Sequence, residues 1–436
     1  MRPAPIVTGL TAVALAIATA LPASASAGGL DPTFGDEGVA ILENSIDGVE
    51  LVHDVVVLPD GSLFGVGLIE YESAGPFATY HHLSSTGQQL PIVGTSGFHA
   101  FEKSALRAAA ITPEGKIVVA GWAGSLIQNG NVFRTWFLVA RFLPTGAPDP
   151  TFSGDGLVAT PMGWSNANAN DVLVRSDGRI VVVGDAERGD GVIAVARYRP
   201  NGTLDTSFGT NGRSFVSAPG GLFRARAAVL APNGQIVVAA TNPVTLPGGA
   251  LRPRFAIARL AANGTLDTAF GSRGVATVTF GTRFAEPTDV VVRPDGRIIV
   301  AGTARDVSAV VDSGRRFALA RLTTAGRIDL TFDVDGRVLT RFAGGGGTLE
   351  ALVRQTDGSL VAAGWGDPQV IALARYRPNG KLDTSFGTNG MVRLTQVPQG
   401  VIEALALQAD GRIVAAGWAR GTSSSYGTSM FARFIP

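Results

Sequence analysis

The sequence predicts an all-β protein, a seven-bladed β-propeller with four antiparallel strands in each blade. Three observations lead to this prediction. A hairpin turn recurs seven times, the segments around it are apolar at consecutive positions, and an arginine and an aspartate recur in a phase that joins the two ends of the chain. Regular repeats that each contain four short strands are typical of propeller blades.

The hairpin turn is an acidic residue or asparagine followed by glycine. Asp-Gly and Asn-Gly between apolar runs are strong hairpin signals, because both central residues tolerate positive φ. Successive copies are separated by 54, 63, 56, 62, 62 and 53 residues, and we expect each to join the first two strands of one blade. The seven turns are Asp60-Gly61, Glu114-Gly115, Asp177-Gly178, Asn233-Gly234, Asp295-Gly296, Asp357-Gly358 and Asp410-Gly411.

The fifth unit shows the four strand types most clearly. Residues 289–293 (DVVVR), 297–301 (RIIVA) and 317–322 (FALARL) predict the first three strands, and residues 274–280 (GVATVTF) represent the fourth. These runs are apolar at consecutive positions, as in strands that are buried on both faces. A blade between two neighbouring blades meets this requirement. A sandwich or a solenoid would use similar strands, but neither explains the relation between the two ends of the chain.

The two ends of the chain each hold one half of a repeated pair. Five arginines at the end of the third strand are followed by an Asp-x-x-Phe aspartate eight residues later. Arg433 has no such aspartate, and Asp31 has no such arginine. We therefore expect residues 30–42 to form the outer strand of the last blade, beside residues 431–434, which removes an open sheet edge. In the degenerate first unit, His81 is interpreted as the replacement of the arginine.

The repeated charges could be a ring of ligands for a partner or a structural bridge within each blade. Their presence in every ordinary unit and their joint loss from the first favour the structural bridge. Breaking such a pair by removing one partner is costly if the pair is buried. The arginines are Arg141, Arg197, Arg259, Arg321, Arg375 and Arg433, and the aspartates are Asp31, Asp149, Asp205, Asp267, Asp329 and Asp383.

The units resemble delta-60 repeats, a family of exported bacterial repeat proteins with the pattern DGxIVVAG, FALARY, PNGxLDTSFGTNG. Residues 197–212 (RYRPNGTLDTSFGTNG) and 375–390 (RYRPNGKLDTSFGTNG) match this pattern closely. The resemblance covers nearly all of the chain after the first thirty residues. It implies export and a propeller-like fold, and it implies no particular activity.

The N-terminus predicts export. Arg2, an apolar stretch over residues 6–21 and the small residues Ala25-Ser26-Ala27 are the parts of a cleavable signal peptide. We therefore expect residues 1–27 to be a signal peptide and residues 28–436 to be one propeller, which is secreted, periplasmic or associated with the cell envelope. No other stretch is apolar enough to span a membrane. The chain has no cysteine, so the core must stabilise the fold without disulfides.

The charge pattern argues against some partners. A net charge of +1 with interspersed signs does not favour binding to nucleic acid. We expect a monomer with an unknown ligand or protein partner, and the sequence identifies no cofactor. It contains no motif for a phosphate loop, a dinucleotide fold, a hydrolase elbow or a zinc helix.

Two sets of equivalent positions vary in residue type, unlike the rest of the repeat. The first lies seven residues before each turn, where we expect the inner strand to begin at the rim of the central channel. The second lies eight residues after each turn and includes three tryptophans. Aromatic platforms above polar groups would suit a sugar or a small organic ligand, although such residues can also be merely solvated or pack the next blade. The predicted ligand-binding residues are Trp122, Trp365, Trp418, His53, Arg107, Asn170, Arg226, Glu350 and Glu403.

The remaining candidates for chemistry are few. Glu350 and Glu403 lie on adjacent blades and could act as acid and base, hold a cation or face water. The four histidines, His53, His81, His82 and His99, lie in or just after the first unit. Because His81 and His82 are neighbours in a strand, they point to opposite faces, so we predict no metal site.

Two functional hypotheses follow from these residues. The first is an exported, non-catalytic propeller that binds a ligand or partner on its channel face. The second is a lyase or hydrolase that uses His53, Arg107, Glu350 and Glu403, by analogy with enzymes on the same fold. A structural component of the cell envelope is a third alternative.

Overall fold

In the computed structural model, the chain forms seven β-sheets in a closed ring. Consecutive sheets pack on one another, and the last packs on the first. The predicted all-β, seven-bladed propeller is therefore confirmed, and the described residues contain no helix. The structure describes residues 26–42, 48–71, 75–91, 101, 103–127, 132–163, 166–187, 191–217, 223–245, 249, 251–282, 284–306, 314–397, 399–420 and 427–436.

The first four blades contain the strands from β2 to β18. Blade 1 has three described strands, β2 (Gly48–Val57), β3 (Leu63–Tyr71) and β4 (Gly75–Leu83). Blade 2 consists of β5 (Lys103–Ile111), β6 (Ile117–Ile127), β7 (Val132–Phe142) and β8 (Leu157–Thr160). Blade 3 consists of β9 (Ala167–Val174), β10 (Ile180–Ala186), β11 (Val192–Tyr198) and β12 (Arg213–Val216). Blade 4 consists of β13 (Arg224–Leu230), β14 (Ile236–Thr241), β17 (Phe255–Leu260) and β18 (Val275–Val278), and its loop holds the short pair β15 (Val244–Thr245) and β16 (Leu251–Arg252).

The last three blades follow the same antiparallel order. Blade 5 consists of β19 (Phe284–Val292), β20 (Ile298–Arg305), β21 (Arg315–Leu322) and β22 (Arg337–Thr340). Blade 6 consists of β23 (Gly347–Arg354), β24 (Leu360–Gly366), β25 (Val370–Tyr376) and β26 (Met391–Leu394). Blade 7 consists of β27 (Val401–Leu407), β28 (Ile413–Arg420), β29 (Gly427–Phe434) and the N-terminal strand β1 (Val39–Leu42).

The ring is closed by the N-terminal strand, as predicted. β1 pairs antiparallel with β29, and Leu30 forms a further bridge with Phe434. Asp31 forms an ion pair with Arg433, in which Arg433 Nε lies 2.9 Å from Asp31 Oδ2. Because β1 covers the edge of β29, the last blade has no unpaired strand at this position.

The two termini together form a turn that a single stretch of the chain forms in other blades. In blade 6, the turn after β25 is closed by Gly380 N–H to Arg377 O and by Arg377 N–H to Lys381 O, both at 2.8 Å. At the ring closure, Gly28 N–H donates to Ile435 O and Ile435 N–H donates to Gly29 O, both at 2.9 Å. The end of the chain and the segment before Asp31 thus replace one hairpin turn.

The hairpin turns differ in one detail from the prediction. In blade 1, Gly61 N–H donates to Leu58 O at 2.9 Å, so the central residues of the turn are Pro59 and Asp60. Only the glycine has positive φ, at 83°. Asp60 instead accepts the N–H of Ser62 with its carboxylate at 2.9 Å. The dipeptide therefore does not form the two central residues of the turn, because the acidic side chain stabilises an ordinary turn before the glycine.

The core is divided into one apolar cluster at each of the seven interfaces between blades. In β10, Ile180 and Val182 pack against blade 2, whereas Val181 and Val183 pack against blade 4. All four side chains are at most 1% exposed. Successive residues of a strand face opposite sides, so both sides of the sheet must be apolar. This explains the unbroken apolar runs of the sequence.

Each predicted arginine and its aspartate form an ion pair in which Nε lies 2.7–2.9 Å from Oδ2. Each guanidinium also stacks 4.4–5.0 Å from the phenylalanine ring of the same motif. We call these six groups the Arg–Asp–Phe clusters. They extend beyond one blade, because Arg321 Nη1 donates to Pro378 O of the next blade at 2.9 Å. They lie at the hairpin-turn end of the blades.

His82, and not His81, occupies the arginine position in blade 1. His82 pairs with Phe64, just as Arg321 pairs with Ile299 in blade 5. The earlier interpretation was wrong because the first unit has one more residue before this position. His81 faces blade 7 instead, where its Nε2 lies 3.0 Å from Ser429 Oγ, and the same nitrogen lies 3.1 Å from Glu50 Oε1 of blade 1. His99 lies outside the described residues.

Candidate functional site

The central channel is lined by the first strand of each blade, since these seven strands contact one another around the ring. Every one of them contains a β-bulge, at which one residue has no partner on the second strand. These residues lie two to five positions after the first residue of their strands. The sequence had suggested that the strands begin at these residues. A bulge bends a strand and redirects a side chain. The bulge residues, which we call the bulge ring, are His53, Arg107, Asn170, Arg226, Thr288, Glu350 and Glu403.

Glycine opposite the bulge makes this geometry possible. A Cβ at Gly121 would lie 1.9 Å from the carbonyl oxygen of Ala105, and one at Gly364 would lie 2.0 Å from that of Thr348. Blade 4 has Ala240 at this position. Gly67, Gly184, Gly302 and Gly417 are the equivalents in the other blades. A glycine inside an apolar strand is a signal for a bulge, and it was not used in the sequence analysis.

Aspartates follow the bulge in blades 1, 3 and 5 and connect each of these blades to the next. Asp54 Oδ2 accepts the N–H of Ala109 at 2.7 Å, Asp171 Oδ2 that of Ala228 at 2.6 Å, and Asp289 Oδ2 that of Leu352 at 2.7 Å. Burial raises the pKa of Asp54 and of Asp289 to about 7, against the effect of these hydrogen bonds. Burial raises the pKa of Asp171 as well, and the other two carboxylates add to the rise. Sequence reasoning missed these three residues.

The bulge residues of blades 3 and 5 hold the neighbouring blade in a similar way. Asn170 Nδ2 donates to Ala225 O at 2.9 Å and to Asp185 Oδ1 at 2.7 Å. Thr288 Oγ1 donates to Leu349 O at 3.1 Å. His53 is uncharged at neutral pH, because burial and the guanidinium of Arg107 lower its pKa to about 3. These three side chains therefore contribute polarity to the bulge ring but no charge.

The charged members of the bulge ring are two arginines and two glutamates. Arg107 and Arg226 are exposed to the channel. Burial of Glu350 raises its pKa, and the nearby Glu403 carboxylate raises it further, whereas Arg226 acts in the opposite direction. Burial likewise raises the pKa of Glu403, although Arg107 favours its charged form. The four groups interact electrostatically across the ring, so the structure brings these predicted site residues together.

The predicted tryptophans lie on the second strands, beside the bulge ring. The Trp365 indole favours the charged form of Glu350 and so limits the rise in its pKa, and the Trp418 indole has the same effect on the pKa of Glu403. The guanidinium of Arg315 lies 5.0 Å from the ring centre of Trp365 and covers part of it. Trp122 is partly exposed opposite Ala105 in blade 2. Two of the three tryptophans therefore lie close to the two channel carboxyl groups.

A cavity of about 340 Å³ opens between the blades at this end of the channel. Pockets for small molecules typically have volumes of about 300–1,000 Å³. The wall contains bulge residues of blades 4, 5 and 6 together with side chains that the sequence analysis did not select, such as Arg305 and Arg315. Its polar lining includes Arg226, Glu286, Thr288, Thr303, Thr348 and Glu350.

No group of three or more metal-ligating side chains with suitable geometry occurs among the described residues. Within the same part of the chain, no helix could cross a membrane.

The comparisons with known proteins agree with this architecture. Residues 112–152, 175–208, 248–270, 293–332 and 355–386 match the sequence profile of a domain of unknown function, the DUF5122 β-propeller. The repeats are similar to that family. No curated protein sequence matches this chain.

Solved structures with a similar fold have very different sequences. The polysaccharide lyase Uly1 is 12% identical with a TM-score of 0.50, and the match covers 92% of this chain and 93% of the lyase. A protein of unknown function from Dyadobacter fermentans is 11% identical with a TM-score of 0.49, over 92% of this chain and 98% of its own. The NanB sialidase of Streptococcus pneumoniae is 8% identical with a TM-score of 0.49, over 91% and 70%. At these identities the similarity concerns the fold alone.

Proposed function

We propose that this protein is an exported, non-catalytic propeller that binds a ligand at the bulge-ring end of its channel. The ligand is a glycan, a small organic molecule or a partner that presents such a group. We propose further that the repeats are of the delta-60 type, that residues 1–27 direct export and that the protein acts outside the cytoplasm as a monomer.

One observation carries the binding proposal. Seven equivalent backbone positions, all at bulges that point a side chain toward the channel, carry five different residue types. A purely structural position in a repeat keeps its residue type, as the Arg–Asp–Phe clusters do. The adjacent cavity has the volume and the mixed polar and aromatic wall of a small-molecule pocket.

The binding proposal is tested with the purified chain on a glycan array, followed by calorimetric titration of each hit. We expect a hit whose affinity falls about 10-fold or more in Trp365→Ala or Trp418→Ala, because these variants remove the aromatic surface beside the two channel carboxyl groups. Leu330→Ala is the control, since Leu330 is an exposed apolar residue at the opposite end of the blades. Hits that respond equally to all three variants, or no hits, would contradict the proposal.

A catalytic role is the second candidate, and the two channel carboxylates favour it. Both have raised pKa values, and a carboxyl group of raised pKa can act as a general acid near neutral pH. The purified protein would be incubated with polysaccharides and lactone esters. Turnover that disappears in Glu350→Gln with Glu403→Gln would establish an enzyme, whereas turnover that survives would exclude these residues. Absence of both binding and turnover would favour a structural component of the envelope.

A further inference from the structure

The charges of the bulge ring are separated into two halves. The arginines come from blades 2 and 4, and the glutamates come from the adjacent blades 6 and 7. Blades 1, 3 and 5 contribute the uncharged His53, Asn170 and Thr288. Among the bulge residues alone, positive charge therefore lies on one side of the channel and carboxyl groups on the other, and the Asp185 carboxyl group of blade 3 interacts electrostatically with both arginines.

The two arginines have no bonded counter-charge among the residues that the structure describes. Neither Arg107 nor Arg226 forms an ion pair or a hydrogen bond with a described residue, in contrast to the arginines of the Arg–Asp–Phe clusters. Arg107 experiences repulsion from Arg226, and the attraction of Glu403 and Asp185 acts only at a distance. Two guanidinium groups that face one channel without a bonded anion form a site for an anion, and their fork geometry matches a carboxylate.

The side chains around Arg226 indicate which chemical groups the rest of the ligand carries. Arg226 lines the same cavity as Thr303, Thr348 and Glu350. Hydroxyl groups donate and accept hydrogen bonds, and a carboxyl group of raised pKa can do either near neutral pH. These partners suit a molecule that carries several hydroxyl groups next to its negative charge.

We propose that the bulge ring binds a sugar acid, with its carboxylate between Arg107 and Arg226 and its hydroxyl groups in the cavity against Glu350 and the threonines. This inference rests on the proposed function and specifies the ligand class. A simple inorganic anion would use only the arginines, and a neutral sugar would use only the cavity.

Titration calorimetry with D-glucuronate, D-galacturonate, D-glucose and inorganic phosphate tests the proposal. At least one uronate should bind, about 10-fold or more tightly than glucose and phosphate, because glucose lacks the carboxylate that contacts the arginines and phosphate lacks the hydroxyl groups that contact the cavity wall. Binding should weaken as the salt concentration increases.

Variants separate the role of the arginines from that of the fold. Arg107→Gln and Arg226→Gln should each weaken uronate binding about 10-fold or more, and Arg226→Lys should recover part of the loss. The control is Arg199→Gln, an exposed arginine in a turn at the other end of the blades, which should bind as the unmodified chain does. Unchanged melting temperatures would show that the variants are folded.

Three results would overturn the inference. Glucose binding equal to that of both uronates, unaffected by Arg107→Gln and Arg226→Gln, would refute the sugar acid and leave the proposed function in place. Phosphate binding as tight as uronate binding would show an anion site without sugar recognition. Uronate binding that neither arginine variant weakens would place the site elsewhere. If none of the four probes binds, the sugar-acid proposal is refuted. The proposed function is refuted as well only if no glycan on the array binds.

Discussion

The Arg–Asp–Phe clusters and the bulge ring both recur around the propeller, but they differ in what each residue contacts. In a cluster, the arginine contacts its aspartate, the phenylalanine and a carbonyl of the next blade, as Arg321 does. A substitution there breaks several contacts at once. At a bulge, the geometry depends on the backbone and on the opposite glycine, so the side chain of the bulge residue can vary. The comparison indicates that the clusters maintain the fold and that the bulge ring is the part of the repeat on which function depends.

Removing a cluster arginine should have the largest effect on stability. Asp329 is only 5% exposed, and Arg321→Ala removes one of the two arginines that pair with it. The variant also removes the hydrogen bond from Arg321 to Pro378 O. We expect the free energy of unfolding to fall by about 3–5 kcal/mol, as measured by urea denaturation at pH 7.

Arg375 is the matched comparison for Arg321. Its pair with Asp383 is more exposed, and among the described residues it donates no bond to a following blade. Arg375→Ala should therefore cost only about 1–2 kcal/mol. Equal losses for the two variants would show that contact with the next blade contributes nothing.

The glycine opposite the bulge should be the next most sensitive position. Gly364→Ala places a Cβ 2.0 Å from the carbonyl oxygen of Thr348, so the bulge must shift. We expect a loss of roughly 2 kcal/mol or more in unfolding free energy and weaker ligand binding. The reverse change in blade 4, Ala240→Gly, should cost only about 0.5–1 kcal/mol, because that blade already accommodates a Cβ. If both variants were equally stable, the glycines would not define the bulges.

The ring is predictable from the sequence because the hairpin turns and apolar runs are local signals. The contact between the two ends follows from counting the arginines and aspartates along the chain. Arg433 without an aspartate and Asp31 without an arginine require the two ends to meet, and the structure pairs them. Residue counting failed in the first unit, where one additional residue moved His82 into the arginine position. Strand register depends on pairing with the second strand, which a motif alone does not reveal.

The candidate site was only partly predictable from the sequence. The bulge residues were selected because they are polar at the start of an apolar run, and this signal does not show which of them are free. Among the described residues, Asn170 and Thr288 bond the next blade, whereas Arg107 and Arg226 do not. Trp365 could be placed near the channel, but its effect on the pKa of Glu350 and its contact with Arg315 depend on side chains from different strands and blades. Such contacts follow from packing and not from sequence spacing.

The smallest expected effect is the pH dependence contributed by Glu350. Burial and the neighbouring Glu403 raise its pKa above the ordinary value of 4.5 in the folded protein. A carboxyl group with a raised pKa destabilises the fold as the pH rises through that pKa, since the unfolded chain ionises more readily. Glu350→Gln should therefore unfold like the unmodified chain at pH 4 and be more stable by about 1–2 kcal/mol at pH 9.

Tryptophan fluorescence reports the same titration, because the Trp365 indole and Glu350 line the same cavity. Its emission should change with a midpoint above pH 4.5, and the change should be absent in Glu350→Gln. Glu403→Gln should move the midpoint to lower pH, because it removes the negative charge that disfavours ionisation of Glu350. A midpoint at the ordinary value that Glu403→Gln does not move would mean that the two carboxyl groups are independent. The bulge ring would then lack the coupled acidic half that distinguishes it from the Arg–Asp–Phe clusters, in which every aspartate forms an ion pair with an arginine.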